Sequence, residues 1–239
     1  MDSKEISRSM NQVYHAFLRV NELNYQIQRA KHTLRLKTER LTEASAFLAE
    51  RQASYDKFAL VAQELERETE FVAENLRRRR EQLNAAKSSR EYDSLKLQIE
   101  MDEAKSDRLT DETISALSNL EESEVALADA KKAWQDRQTV WETATKEFKS
   151  IEAEGRRNIQ KTLEDARILT ADLPKDHANA IARNLKNGNE PIAPVVDDAY
   201  CGACNEGLPP DVVLKIKEGA ALCCYSCGKL LFIPDGDVS

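Results

Sequence analysis

The stretch LRRRREQLNAAKSSREYDSL, residues 76–95, is where two long repeats meet. Counting back in sevens from Leu83 gives Leu76, Thr69, Ala62, Tyr55, Leu48, Leu41, Leu34, Ile27, Val20, Val13 and Ile6, and eleven of these twelve positions are apolar. Three residues after each lies a patchier seam of Ala16, Leu23, Ala30, Ala44, Phe58, Leu65 and Val72, interrupted by Lys37 and Arg51. A strict seven-residue apolar repeat marks a long helix that supercoils left-handedly around a partner. Counting forward from Tyr92 supplies that partner in Ile99, Ser106, Thr113, Leu120, Leu127, Trp134, Trp141 and Phe148.

The count resets across NAAKSSRE, residues 84–91, where Ser89 is placed to cap a new helix. The arms on either side are nearly equal, at about 80 residues each, so folding back pairs them over about 120 Å at 1.5 Å per residue. No glycine or proline interrupts the first 154 residues. The expected fold is therefore mainly α, a long antiparallel coiled-coil hairpin over residues 1–173 with its tip near 84–91. A parallel dimer between chains is one competing arrangement; a compact bundle is another, disfavoured by helices this long without breaks. Gly155 and a slip of phase after Phe148 predict that the second arm frays or bends before Leu173. Residues 174–239 then read as a short helix, with Pro174 near its start and Gly188 past its end, followed by a small β-rich module. Its lead-in, EPIAPVVDDAY, contains two prolines and reads as extended.

All five cysteines fall between residues 201 and 227. Cys201 and Cys204 form one Cys-x-x-Cys unit, and Cys224 and Cys227 form a second. Each unit turns as a knuckle aiming two thiolates at one cation, and two knuckles complete the tetrahedral set that zinc prefers. Gly202 and Gly228 are the residues expected to let the chain bend there. Cys223 is left over, since Cys223 to Cys227 has the wrong knuckle spacing, and Ala221-Leu222-Cys223 reads as a short strand leading into the second knuckle. Four thiolates leave no open coordination position, so the expected cofactor is one structural Zn²⁺. A redox role for the Cys-x-x-Cys units competes with this, but no βαβ pattern surrounds them.

The composition excludes several classes. Charged residues make up 32 % and aromatics 6 %, with a mean hydropathy of −0.61, too polar for one large spherical core. No apolar run suits a signal peptide or a membrane span, so the expected location is cytoplasmic with no membrane insertion. A phosphate loop, HExxH and G-x-S-x-G are all missing. The chain is accordingly expected to be no enzyme and to take no small-molecule substrate.

Charge points to macromolecules. Arg77, Arg78, Arg79, Arg80, Lys87 and Arg90 cluster at the expected tip, as candidate contacts to an acidic partner or a phosphate backbone, or as no more than a solubilising surface. Residues 196–239 carry Lys215, Lys217 and Lys229 against Asp197, Asp198, Glu206, Asp211, Glu218, Asp235 and Asp237. An anionic module suits a protein partner better than nucleic acid. Protein-protein bridging is the leading expectation, with nucleic-acid binding through the tip as the alternative.

Two stretches carry a family resemblance. REYDSLKLQIE, through Glu91, Tyr92, Leu95 and Ile99, is similar to a Glu-Tyr-x-x-Leu-x-x-Glu-Ile pattern, with Gln98 at the Glu position. CGACNEGLPP and CYSCGKLL, through Cys201, Cys204, Leu208, Pro209, Pro210, Cys224, Cys227 and Gly228, are similar to the ribbon that accompanies it, with Asn205 where His is common and Lys229 where Arg is common. Together they resemble a bacterial family of four-cysteine zinc-ribbon proteins with an N-terminal coiled-coil hairpin, some of which act as adaptors for flagellar or type III secretion components. The resemblance implies the same fold and a non-enzymatic adaptor. Coiled-coil transcription factors that insert a tip into RNA polymerase use acidic tips, whereas this one is basic.

Overall fold

A computed structural model of the chain describes residues 1–186 and 190–234. Helix α1 runs over Ser3–Ala85 and α2 over Ser89–Ala171, packed antiparallel as a helical hairpin. They are followed by α3 (Lys175–Lys186), β1 (Ile192–Val196), β2 (Tyr200–Cys201), α4 (Pro210–Lys217) and β3 (Leu230–Phe232). Two compact units result, Met1–Thr33 with Lys146–Ser239, and Leu34–Thr145.

The helix ends follow local capping chemistry. At the start of α1, Asp2 Oδ1 accepts from the Glu5 N–H at 2.7 Å and Glu5 Oε2 accepts from the Asp2 N–H at 3.0 Å, a reciprocal capping box. At the turn the cap is Ser88, one residue before the position expected: its Oγ accepts from the Glu91 N–H, and Glu91 accepts from the Lys87 N–H. The last described residue of α3 is Lys186, and the expected stop at Gly188 lies outside the described residues.

In the unit Leu34–Thr145 the two seams face each other. The sequence put Thr69 and Thr113 at apolar positions; here their hydroxyls meet across the seam at 3.1 Å, so each polar exception satisfies the other. Arg51, which interrupts the second seam, lies over the Phe47 ring at 4.7 Å. Trp141 donates its indole N–H to Thr38 Oγ1 at 3.0 Å. Cross-arm ion pairs join Glu68 to Lys105, Arg79 to Asp102 and Arg80 to Glu103. Tyr92 departs from the expected seam and is 48 % exposed.

In the other unit α2 passes Gly155 without a break, against the expectation of a fray or bend. A Cβ on Gly155 would sit 2.9 Å from Ile27 Cδ1, so the glycine is a seam residue that lets the arms approach. Counting sevens on from Phe148 reaches Gly155, Thr162 and Leu169, so the repeat loses its large apolar side chains for two positions and regains one at Leu169, which packs on the core below. The start of α1, the end of α2 and α3 then bury one face of the sheet in a core of Met10, Val13, Leu173, Ile181, Ile192, Leu230 and Phe232. Tyr14 tilts against Phe232 with ring centroids 5.6 Å apart.

The sheet has the order β2-β1-β3, with β1 antiparallel to β2 and parallel to β3. The lead-in that the sequence marked as extended is thus the central strand, despite Pro194. Residues 192–194 pair with β3 and residues 195–196 with β2, so Pro194 stands where pairing changes sides. Alternate residues serve two cores: Ile192, Leu230 and Phe232 face the helices, while Ala193, Val195 and Leu231 face α4 and the cysteines.

His177 on α3 is 4 % exposed, and its Nδ1 has no hydrogen-bond partner among the described residues. Burial holds its pKa below the usual 6.5, offset in part by the charge of Asp176. A depressed pKa means that the unfolded chain binds the proton more readily. Its contribution is therefore present above about pH 6.5 and is lost as pH falls toward the folded-state value. Denaturation of His177→Gln between pH 7 and 6 should show a shallower loss of stability than the parent; an equal slope would remove His177 as the cause.

Candidate metal centre

Each Cys-x-x-Cys is the tip of a small hairpin, and the two hairpins are the same turn made twice. In the first, the Cys201 N–H donates to the Glu206 carbonyl at 2.9 Å and the Asn205 N–H donates to the Cys201 carbonyl at 2.8 Å. In the second, the Cys224 N–H donates to the Lys229 carbonyl at 2.8 Å and the Gly228 N–H to the Cys224 carbonyl at 2.9 Å. Bridges Tyr200↔Gly207 and Cys223↔Leu230 close the two hairpins.

This turn needs a left-handed residue directly after its second cysteine. Asn205 has φ 58° and Gly228 has φ 74°. Gly228 was expected in this role, but its true counterpart is Asn205 rather than Gly202; asparagine is among the few side chains that tolerate the region. Gly228→Ala should cost about 1–2 kcal/mol, while Asn205→Gly should be neutral or slightly stabilising. Guanidinium denaturation monitored on the metal-loaded protein checks both, and an unaffected Gly228→Ala would refute the strain.

The four sulfurs Cys201, Cys204, Cys224 and Cys227 all lie within 4.8 Å of one another. Cys201 Sγ to Cys227 Sγ and Cys204 Sγ to Cys224 Sγ are both 3.7 Å. Four sulfurs held about 2.3 Å from one tetrahedral cation are about 3.8 Å apart, so the edges that link the knuckles already have the required length.

Electrostatics agree with a cation-binding role. Burial raises the pKa of Cys201 and pushes Cys227 up to about 12, against backbone N–H groups of Ala203, Cys204 and Lys229 that favour the thiolates. Cys204, on the surface, is brought down to about 7, chiefly by the Glu206 N–H. Sulfurs this close cannot all ionise against one another, and a divalent cation is the group that lets them do so. The N–H donors of Glu206 and Lys229 occupy equivalent places in the two turns and fix the sulfur orientations.

The site is tied to its surroundings on three sides. Asn184 of α3, buried, donates to the carbonyls of Pro191 at 3.0 Å and Gly228 at 2.9 Å. The Tyr225 hydroxyl, from the second knuckle, lies 2.7 Å from Glu206 Oε1 and 3.0 Å from the Gly207 carbonyl of the first. Lys229 pairs with Glu190, whose other oxygen accepts from Asn21 at 2.7 Å. None of these three links was legible in the sequence. Cys223 stands beside the set without joining it: its side chain packs into the helix-facing core, and Arg183 Nη2 lies 3.6 Å from its sulfur.

Half of the six tip cations are committed elsewhere. Arg78 pairs with Glu74, and Arg80 with Glu103 at 2.6 Å. Arg79 lies 2.7 Å from Asp102 and donates to the Gln98 carbonyl at 3.3 Å. Arg77, Lys87 and Arg90 have no ion-pair partner among the described residues. Nine basic residues stand against eight acidic ones between 74 and 108, so carboxylates along both arms offset much of the charge of the arginine run. In the ribbon, Lys215, Lys217 and Lys229 pair with Asp211, Asp198 and Glu190. Asp235 and Asp237, counted with the anionic ribbon, lie outside the described residues. Among the described residues no helix is long and apolar enough to cross a membrane.

No protein-family model and no curated protein sequence matches the chain. Solved bacterial structures share its fold, among them the following three. A protein from Mycobacterium smegmatis matches with a TM-score of 0.77 at 14 % identity, over 98 % of this chain and 100 % of that one. CT398 from Chlamydia trachomatis matches with a TM-score of 0.62 at 17 % identity, over 95 % and 100 %. HP0958 from Helicobacter pylori matches with a TM-score of 0.52 at 13 % identity, over 98 % and 99 %.

Proposed function

We propose that this chain is a non-enzymatic, zinc-stapled adaptor that bridges macromolecular partners through its ribbon and its hairpin tip. The observation that carries the reading is the four-sulfur set itself. It offers a tetrahedral cation all its ligands from within the chain, so the ion closes the ribbon and keeps no position open for a substrate. The metal is zinc on this reading, since thiolate-only tetrahedral sites suit it. Thiolate ligands also fit a reducing, cytoplasmic setting. The sequence resemblance to adaptors of flagellar and type III secretion systems supports the same assignment.

A protein partner is favoured for the ribbon because all three of its lysines are engaged by carboxylates, leaving Asp197, Glu206 and Glu218 as its unmatched charge. The ion pairs of Arg78, Arg79 and Arg80 likewise favour protein over nucleic acid at the tip. The test is affinity capture with two variants, Arg77→Gln/Lys87→Gln/Arg90→Gln at the tip and Glu206→Gln/Glu218→Gln on the ribbon, beside direct binding to unrelated RNA and DNA at physiological salt. The adaptor reading expects each variant to lose a different protein. Nucleic-acid affinity that disappears in the tip variant would replace it by the nucleic-acid reading.

A further inference from the structure

The end of α2 and helix α3 enclose a groove of about 520 Å³ that is distinct from both the metal centre and the tip. Its walls are two apolar stripes at helical spacing, Leu163, Ala166 and Thr170 on α2 and Ala178, Ala182 and Leu185 on α3, with Phe17 of α1 also lining it. α3 thus has two apolar faces. One, with His177, Ala180, Ile181 and Asn184, is buried, whereas Ala182 and Leu185 are exposed and face the groove. A helix that served only to cover the sheet would need the first face alone.

The chemistry of the walls selects the occupant. Alanines on both sides keep side chains short, so a helical backbone can lie close, and stripes spaced by three and four residues match the ridges of another helix. At 3.6 residues per turn, Lys175, Asn179 and Lys186 fall along the outer edge of the α3 wall, while Asp176 and Arg183 point to the opposite side. Neither lysine has an ion-pair partner among the described residues, whereas on the α2 wall Arg167 is held by Glu164. The unmatched charge of the rim is positive, in a chain whose net charge is −7. We infer that this groove docks an amphipathic α-helix of a partner protein, one that buries an apolar stripe between α2 and α3 and presents acidic residues to Lys175 and Lys186. The surface is additional to the ribbon and tip, and its test uses neither.

The probe is a displayed library of 18-residue peptides with leucines fixed at i, i+3, i+4 and i+7 and all flanking positions randomised, selected against the metal-loaded full chain. Selected peptides should carry Glu or Asp on one flank. Their affinity should fall at least tenfold in Ala182→Arg and several-fold in Lys175→Gln/Lys186→Gln, with unchanged far-UV circular dichroism. Leu185→Glu, at another exposed wall position, replaces Ala182→Arg should the latter lose its fold, with the same tenfold loss expected. Peptides enriched without acidic flanks, or binding that ignores the groove variants, would overturn the proposal. So would a concentration-dependent dimer that Ala182→Arg abolishes, because a second copy of this chain would then be the occupant.

Discussion

Stripping the metal with a strong chelator should unfold the segment from Ile192 to Phe232 while α1 and α2 keep their helical signal. The core on the α4 side of the sheet is assembled around Cys201 and Cys224, 0 % and 2 % exposed, with Ala193, Val195, Leu208, Val213, Ile216 and Leu231 packed on them. That is little apolar surface for a module whose strands have five, two and three residues. Structural zinc contributes about 10–16 kcal/mol in small metal-dependent folds, more than such a core supplies. The coiled-coil seam in Leu34–Thr145 contains no cysteine and does not depend on the ion. Hydrogen exchange resolved by segment reads both halves of this expectation. Retained protection of Ile192–Val196 after chelation would mean that the helix-facing core of Met10, Ile181 and Leu230 holds the sheet without the metal.

The second large effect is expected at Gly202, which allows a close crossing of two chain segments. A Cβ there would meet Pro194 Cγ at 2.8 Å, the Pro194 carbonyl oxygen at 2.9 Å and Val196 Cγ2 at 3.0 Å. Two of these atoms belong to a rigid ring and a backbone carbonyl in the central strand, so no rotamer change relieves the contact. The same crossing carries the Gly202 N–H bond to the Pro194 carbonyl at 2.8 Å. Gly202→Ala should therefore cost about 2–4 kcal/mol from overpacking and the weakened hydrogen bond. Gly207→Ala is the control, because a Cβ there meets nothing within 4 Å and the cost should be a few tenths of a kcal/mol at most. Equal denaturation midpoints for the two variants would show that β1 yields to the added methyl.

Much of this was legible in the sequence, for a physical reason: repeats and knuckles are local patterns. A seven-residue apolar period reports which face of a helix is buried, and paired Cys-x-x-Cys units report a shared cation, without any knowledge of distant residues. What stayed hidden depends on cross-chain partners. Gly155 looked like a helix breaker because the sequence does not display Ile27 across the seam. Thr69 and Thr113 looked like two faults and are one hydrogen-bonded pair. Asn205 was a mere departure from a resembling pattern until its φ matched that of Gly228. The run Arg77–Arg80 read as cationic because Asp102 and Glu103, which neutralise two of its members, come from the other arm.

The central claim is that four particular sulfurs, and not the fifth, hold one zinc ion. Metal content per chain, measured on the purified protein beside Cys223→Ser and Cys224→Ser, tests it most directly. Cys224 is 2 % exposed with its sulfur 3.7 Å from that of Cys204, whereas Cys223 packs toward the helices beside Arg183. The account predicts one zinc in the parent, one in Cys223→Ser and none retained in Cys224→Ser. Zinc lost from Cys223→Ser but kept in Cys224→Ser, or a parent chain that carries no zinc when purified under reducing conditions, would contradict it.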